Sequence, residues 1–126
     1  MSERVKSISH KGEQILFSNY SGLDEEPYLR ELDETIAMLK SAIAKKPSYL
    51  LALTDVSNTT TTAKITQKSK ECTTLLKGVK TTTAIVGITK MKKVIANIVS
   101  PDLQMFDTVD KAKDWLAAEA RRRRAY

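Results

Sequence analysis

The chain is poor in the residues that most often declare a chemistry. Cys72 is the only cysteine and His10 the only histidine among 126 residues. A single cysteine excludes an intrachain disulfide and suits a reducing compartment, so a cytoplasmic location is expected. His10 falls in a weakly patterned N-terminal strand and Cys72 on a helix stripe, which leaves no nucleophile and base pair and no metal-ligand spacing. The four glycines are scattered, which excludes a phosphate loop and a dinucleotide fingerprint. No apolar segment approaches the roughly 20 residues of a membrane span, and residues 1–13, MSERVKSISHKGE, lack the apolar region of a secretory signal. Neither an anchor nor an export route is expected, and with no internal repeat or low-complexity linker, residues 1–126 read as one domain with a basic tail at 121–126. No catalytic residue, metal or cofactor is assigned, and the chain reads as a non-enzyme.

What is present is ordinary in bulk. Hydrophobic residues make up 41% and charged residues 29%, the balance of a globular domain and too apolar for general disorder. The net charge is +6, but Arg121, Arg122, Arg123 and Arg124 supply four of those charges and leave +2 for the rest. An arginine run at the end of a helix suits the negative end of its macrodipole, so no nucleic-acid partner is expected from it.

The segment from Pro47 to Lys64, PSYLLALTDVSNTTTTAK, organises the chain. Tyr49, Leu50, Leu51, Ala52 and Leu53 are apolar without alternation, which suits a strand covered on both faces in the middle of a parallel sheet. Asp55, Ser57, Asn58 and the threonines at 59–62 then offer short side chains that accept hydrogen bonds from amides opening a helix. Upstream, residues 1–10 and 14–20 read as two strands joined at Lys11, Gly12 and Glu13 into a hairpin. Between them and the central strand lies a helix with every start and stop signal. Asp24, Glu25 and Glu26 mark its positive end, Pro27 its first turn, Lys45 and Lys46 its negative end, and Pro47 its stop. Its predicted buried stripe is Leu29, Leu32, Ile36, Leu39 and Ile43.

Downstream, Ile65, Ser69, Cys72, Leu76 and Val79 predict a helix over 62–78, and residues 80–88 a strand in which Gly87 signals close backbone approach. Thr89 then caps a helix with Met91, Val94, Ile95 and Ile98 on one face. A short strand at 103–106 precedes a last helix, for which Asp107 and Asp110 suggest a capping box, Val109, Ala112, Leu116 and Ala120 a buried stripe, and Trp115 the closure of the core. This order predicts an α/β fold: a mixed, mostly parallel sheet of about five strands with four helices, built through right-handed crossovers.

In such a sheet the loops after parallel strands share one edge, where ligands commonly bind. The candidate partner or anion contact is therefore Asp55, Ser57, Asn58 and Thr59 beside Thr89, Lys90, Lys92 and Lys93. Three cations facing the positive end of a helix, each unfavourable by ~0.3–1 kcal/mol, suggest a neutralising phosphate or acidic surface as readily as plain solvation. Thr59, Thr60, Thr61 and Thr62 read chiefly as a capped loop and secondarily as phosphorylation candidates, because a dianion is favoured at a helix N-terminus.

Three segments carry a resemblance to a known family: YLLALTDVSN from Tyr49 to Asn58, AIVGITKMKKVIANIV from Ala84 to Val99, and FDTVDKAKDWLA from Phe106 to Ala117. Over residues 15–118 the chain resembles the SpoIIAA-like (STAS/SEC14-like) small bacterial and archaeal proteins. The resemblance implies an αβ sandwich and a role in binding partners. In the regulatory branch a serine in an Asp-Ser-Ser-Gly turn is phosphorylated by a partner kinase; here Asp55-Val56-Ser57 is similar but no Ser-Ser-Gly follows, so that phosphoserine is not carried over. The expected function is thus a non-catalytic STAS-like regulatory or protein-interaction module, with a protein partner and room for a homodimer, and without integral membrane association. The alternative is a carrier or sensor of a small apolar, lipid-like ligand, as in SEC14-like proteins.

Overall fold

The computed structural model describes residues 3–59, 62–87 and 104–124. Five strands form one sheet in sequential order: β1 (Val5–His10), β2 (Glu13–Asn19), β3 (Leu50–Asp55), β4 (Thr81–Val86) and β5 (Gln104–Phe106). Three helices accompany them among the described residues: α1 (Glu25–Ala44), α2 (Ala63–Leu75) and a C-terminal helix, here α3 (Val109–Arg124). The helix expected after Thr89 lies outside the described residues. No helix among the described residues is long and apolar enough to cross a membrane.

β1 and β2 are antiparallel, and the turn between them shows why. Lys11 and Gly12 both take positive φ, 52° and 82°, the backbone of a two-residue turn whose twist matches the flanking strands. From β2 onward all pairs are parallel, with Asn19, Asp55, Val86 and Phe106 on one row at the carboxyl edge. Because strand order never reverses between β2 and β4, right-handed crossovers place α1 and α2 on the same face, and the two helices pack against each other. α3 leaves β5 for the opposite face and runs over all five strands.

Side-chain alternation sorts the two layers. Ile15, Leu51, Leu53, Ala84 and Val86 point to the α3 face, where they bury Ala112, Leu116 and Ala120. Phe106 and Trp115, with ring centroids 5.4 Å apart, close that layer at its β5 end. The unbroken apolar run at Leu50, Leu51 and Leu53 is accounted for by β3 being the middle strand, flanked on both sides.

The α1 face is more polar. On α1 the buried residues are Tyr28, Leu32, Thr35 and Leu39, so the buried face is rotated from the expected stripe, and Leu29, Ile36 and Ile43 are only half-buried. The rotation follows from a hydrogen-bonded cluster that hydrophobicity counting passes over. Ser18 Oγ lies 2.9 Å and Tyr20 Oη 2.5 Å from Thr35 Oγ1, which itself donates to the Glu31 carbonyl at 3.2 Å. The Tyr20 and Tyr28 rings stack at 4.3 Å. Burial raises the pKa of both tyrosines, so they stay protonated and act as neutral partners.

α2 begins as its threonines suggest: Thr62 is the N-cap, and its Oγ1 accepts from Ile65 N at 3.3 Å. For α3 the cap is Thr108, whose Oγ1 accepts from Lys111 N at 3.2 Å. The capping box expected from Asp107 and Asp110 is thereby displaced by one residue. The β1–β2 turn is tied to α3 by Asp114 Oδ1, which lies 2.8 Å from His10 Nε2 and 2.9 Å from Lys11 Nζ. Both contacts depress the Asp114 pKa.

Candidate functional site

Asx turns close two neighbouring strands at the same register. After β2, Asn19 Oδ1 accepts from Ser21 N at 3.0 Å and from Ser21 Oγ at 2.6 Å. After β3, Asp55 Oδ1 accepts from Ser57 N at 2.9 Å. Asn19 and Asp55 are register partners, so the two turns sit side by side. Main-chain bonds join them: Tyr20 N donates to Asp55 O at 2.8 Å and Gly22 N to Ser57 O at 2.9 Å. Arg4 extends the same brace by donating to the Asn19 and Ser21 carbonyls at 3.2 and 3.0 Å.

On the other side the β3 loop is pressed against the end of β4. Val56 N donates to Val86 O at 2.9 Å, and Gly87 N to Phe106 O at 3.3 Å. Gly87 takes φ 84°, and a Cβ built there would lie 2.6 Å from Ser57 Cα, 2.8 Å from Ser57 Cβ and closer still to Ser57 Oγ. The close approach expected at Gly87 is thus real, and its partner is Ser57. Only a glycine meets both the left-handed backbone and the missing volume.

Of the candidate residues, Asp55, Ser57, Asn58 and Thr59 form one continuous turn at the carboxyl edge of the central strand. The Asp55 carboxylate is engaged in holding that turn. Asn58 stands at its exposed tip with φ 55°, a left-handed conformation asparagine tolerates well. Thr59 Oγ1 donates to Val56 O at 2.7 Å, and the Thr62 hydroxyl is engaged by α2. Thr60, Thr61, Thr89, Lys90, Lys92 and Lys93 lie outside the described residues, so the side-by-side placement of the two turns is traced only as far as Gly87.

The described residues of this edge include Asp24, Glu25 and Glu26 at the start of α1, Asp55 on β3, and Asp107 and Asp110 at the start of α3, together with Lys64 in the first turn of α2 and Lys111 in that of α3. The lysines of the expected anion contact lie outside the described residues. The acids complement the positive ends of the helices. Among the described residues no group of three or more His, Cys, Asp or Glu is placed to hold a metal ion. Cys72 is half-buried beside the Tyr20–Tyr28 cluster, and burial, then Glu71, pushes its thiol up to about 11, the state of a packing cysteine.

Sequence reasoning missed the first half of this edge. The signal was available, since Asn19-Tyr20-Ser21 and Asp55-Val56-Ser57 repeat the same Asx-x-Ser spacing after consecutive parallel strands. No family model, curated protein or solved structure matches the chain.

Proposed function

We propose that the chain is a non-catalytic, STAS-like regulatory or protein-interaction module whose contact surface is the carboxyl edge around Asp55, Ser57, Asn58 and Thr59. The observation that carries this reading is the seating of Ser57 on Gly87. Three consecutive strand ends are locked together by it and by the Tyr20–Asp55 and Gly22–Ser57 main-chain bonds, so the turn is presented as a rigid surface. Preorganised surfaces lose little entropy on association, which is what an interaction module needs. The one-sided winding of α1 and α2, with α3 on the opposite face, supports the layered STAS-like arrangement that the sequence resemblance implies.

The space beneath α1 weighs for this reading over an apolar-ligand carrier. It is filled by the Ser18–Thr35–Tyr20 cluster and the stacked tyrosines, whose hydroxyls would be left unpaired by a hydrocarbon occupant.

The test is quantitative affinity purification of the full chain from its native host. Asn58→Arg places a bulky cation at the exposed tip, and Lys70→Glu alters an exposed position on α2 as a control. A partner of this edge is captured by the wild type and by K70E and depleted at least tenfold by N58R, with thermal melts confirming that all three chains fold. Equal capture by all three, or no protein specifically retained by the wild type, refutes the assignment.

A further inference from the structure

The near balance of charge in the body conceals its separation in space. α1 ends into β3 and α2 ends into β4, so the loops at 45–49 and 76–80 both lie at the amino edge of the sheet. They carry Lys45, Lys46, Lys77 and Lys80, all exposed, and neither loop contains an acidic residue. The loops adjoin: Leu50 N donates to Lys80 O at 2.8 Å, β3 pairs with β4, and α1 packs on α2. With strands ~4.8 Å and packed helices ~8–10 Å apart, the backbone positions that carry the four lysines lie within a region on the order of 15 Å across. None of the four forms an ion pair among the described residues. Among the described residues, the acids that open α1 and α3 lie at the opposite edge.

Helix-end electrostatics explain this patch only in part. Lys45 caps α1, and Lys46 and Lys77 directly follow the caps at Lys45 and Leu76, near the negative ends of the two helices, while Lys80 lies further on, next to β4. Lys46 also adopts φ 52°, a position just past a helix that glycine or asparagine usually fills, so backbone geometry does not select lysine there.

We propose that this lysine edge binds the phosphate backbone of duplex nucleic acid without reading its sequence. Lysine is depleted at protein interfaces, whose centres are apolar and aromatic, whereas phosphate contact runs on such cations and needs no pocket. The one aromatic residue of the two loops, Tyr49, is half-buried with its hydroxyl donating to Glu13 Oε1 at 3.3 Å, which leaves no exposed ring for stacking unpaired bases. The patch lies at the edge opposite the Asp55–Thr59 turn and is made of residues other than the arginines at 121–124.

The test is fluorescence anisotropy of the full chain with a labelled duplex DNA of about 20 base pairs over a series of salt concentrations. The quadruple variant K45Q/K46Q/K77Q/K80Q is compared with K6Q/K64Q/K70Q/K111Q, which removes four exposed lysines elsewhere and leaves the same net charge. The patch variant should bind at least tenfold more weakly at low salt, and its slope of log K against log salt should be shallower by about 3.6, the counterion release of four phosphate contacts. The control should retain both affinity and slope. No duplex binding by the wild type, equal losses in the two variants, or displacement by poly-glutamate as efficient as by duplex of equal charge overturns the proposal, the last in favour of an acidic protein.

Discussion

Gly87→Ala is the most direct challenge to the carboxyl-edge architecture. The substitution carries two penalties that can be separated. A left-handed backbone at φ 84° costs a residue with a Cβ about 1 kcal/mol. The new methyl would also lie 2.6 Å from Ser57 Cα, a main-chain atom that no rotamer change can move. Forcing such an overlap typically costs ~1–3 kcal/mol, so the total loss should be about 2–4 kcal/mol. Gly22→Ala supplies the reference, because Gly22 has φ 71° and open space where its Cβ would go, and should lose only the first part. The assay is urea unfolding followed by circular dichroism. With a mid-range slope of ~2 kcal/mol per molar, the midpoint of G87A should fall by roughly 1–2 M, and that of G22A by clearly less. Adding Ser57→Ala to G87A should restore little, because the overlap with Ser57 Cα remains. Equal shifts for G87A and G22A, or full rescue by removing one hydroxyl, would refute the packing argument.

Thr35→Val leaves the hydroxyls of Ser18 and Tyr20 buried without their shared partner and should cost about 2–4 kcal/mol in the same assay, more than Tyr20→Phe, which keeps the ring stack and removes one polar group. Asp114→Asn should lower the urea midpoint only where the carboxylate is ionised. A depressed folded-state pKa contributes stability that is present above the unfolded value, near 3.9, and is lost as pH falls through the folded one, so wild type and variant should converge in acid; a constant difference across the pH range would count against the His10–Asp114–Lys11 tie. Cys72 should react slowly with a thiol reagent at about pH 8, where roughly one thiol in a thousand is ionised, and quickly once urea unfolds the chain; native labelling at the rate of a free thiol would contradict its packing role.

Elements whose cause is local were legible in the sequence. The β1–β2 turn at Lys11 and Gly12, the entry and exit of α1, the buried β3 and the threonine cap of α2 each depend on backbone preferences or short-range periodicity. Where two neighbouring residues compete for one role, the local signal was ambiguous. Thr108 took the cap of α3 ahead of Asp107, and α1 turned its Tyr28 and Thr35 side inward instead of its Leu29 and Ile36 side. In the second case the decision lies on another element: Ser18 and Tyr20 present hydroxyls that must be paired once buried, and Thr35 is the residue on α1 that reaches them. At the candidate site, the turn residues and the need for glycine at 87 could be read, but not that Ser57 is what fills the space beside it.

By itself the sequence determined the succession of strands and helices, the parallel α/β class and the central place of β3, because these follow from periodicity, capping and chirality along a continuous chain. Only the tertiary structure decided how charge is distributed. The composition sums to +6, four of it from the arginines at 121–124, whereas parallel winding delivers the acids that open α1 and α3 to one edge and the lysine-bearing loops that follow α1 and α2 to the other. Electrostatic attraction depends on distance, and in this chain the distances that matter are between residues 30 or more positions apart, brought together by the pairing of β3 with β4 and the packing of α1 on α2.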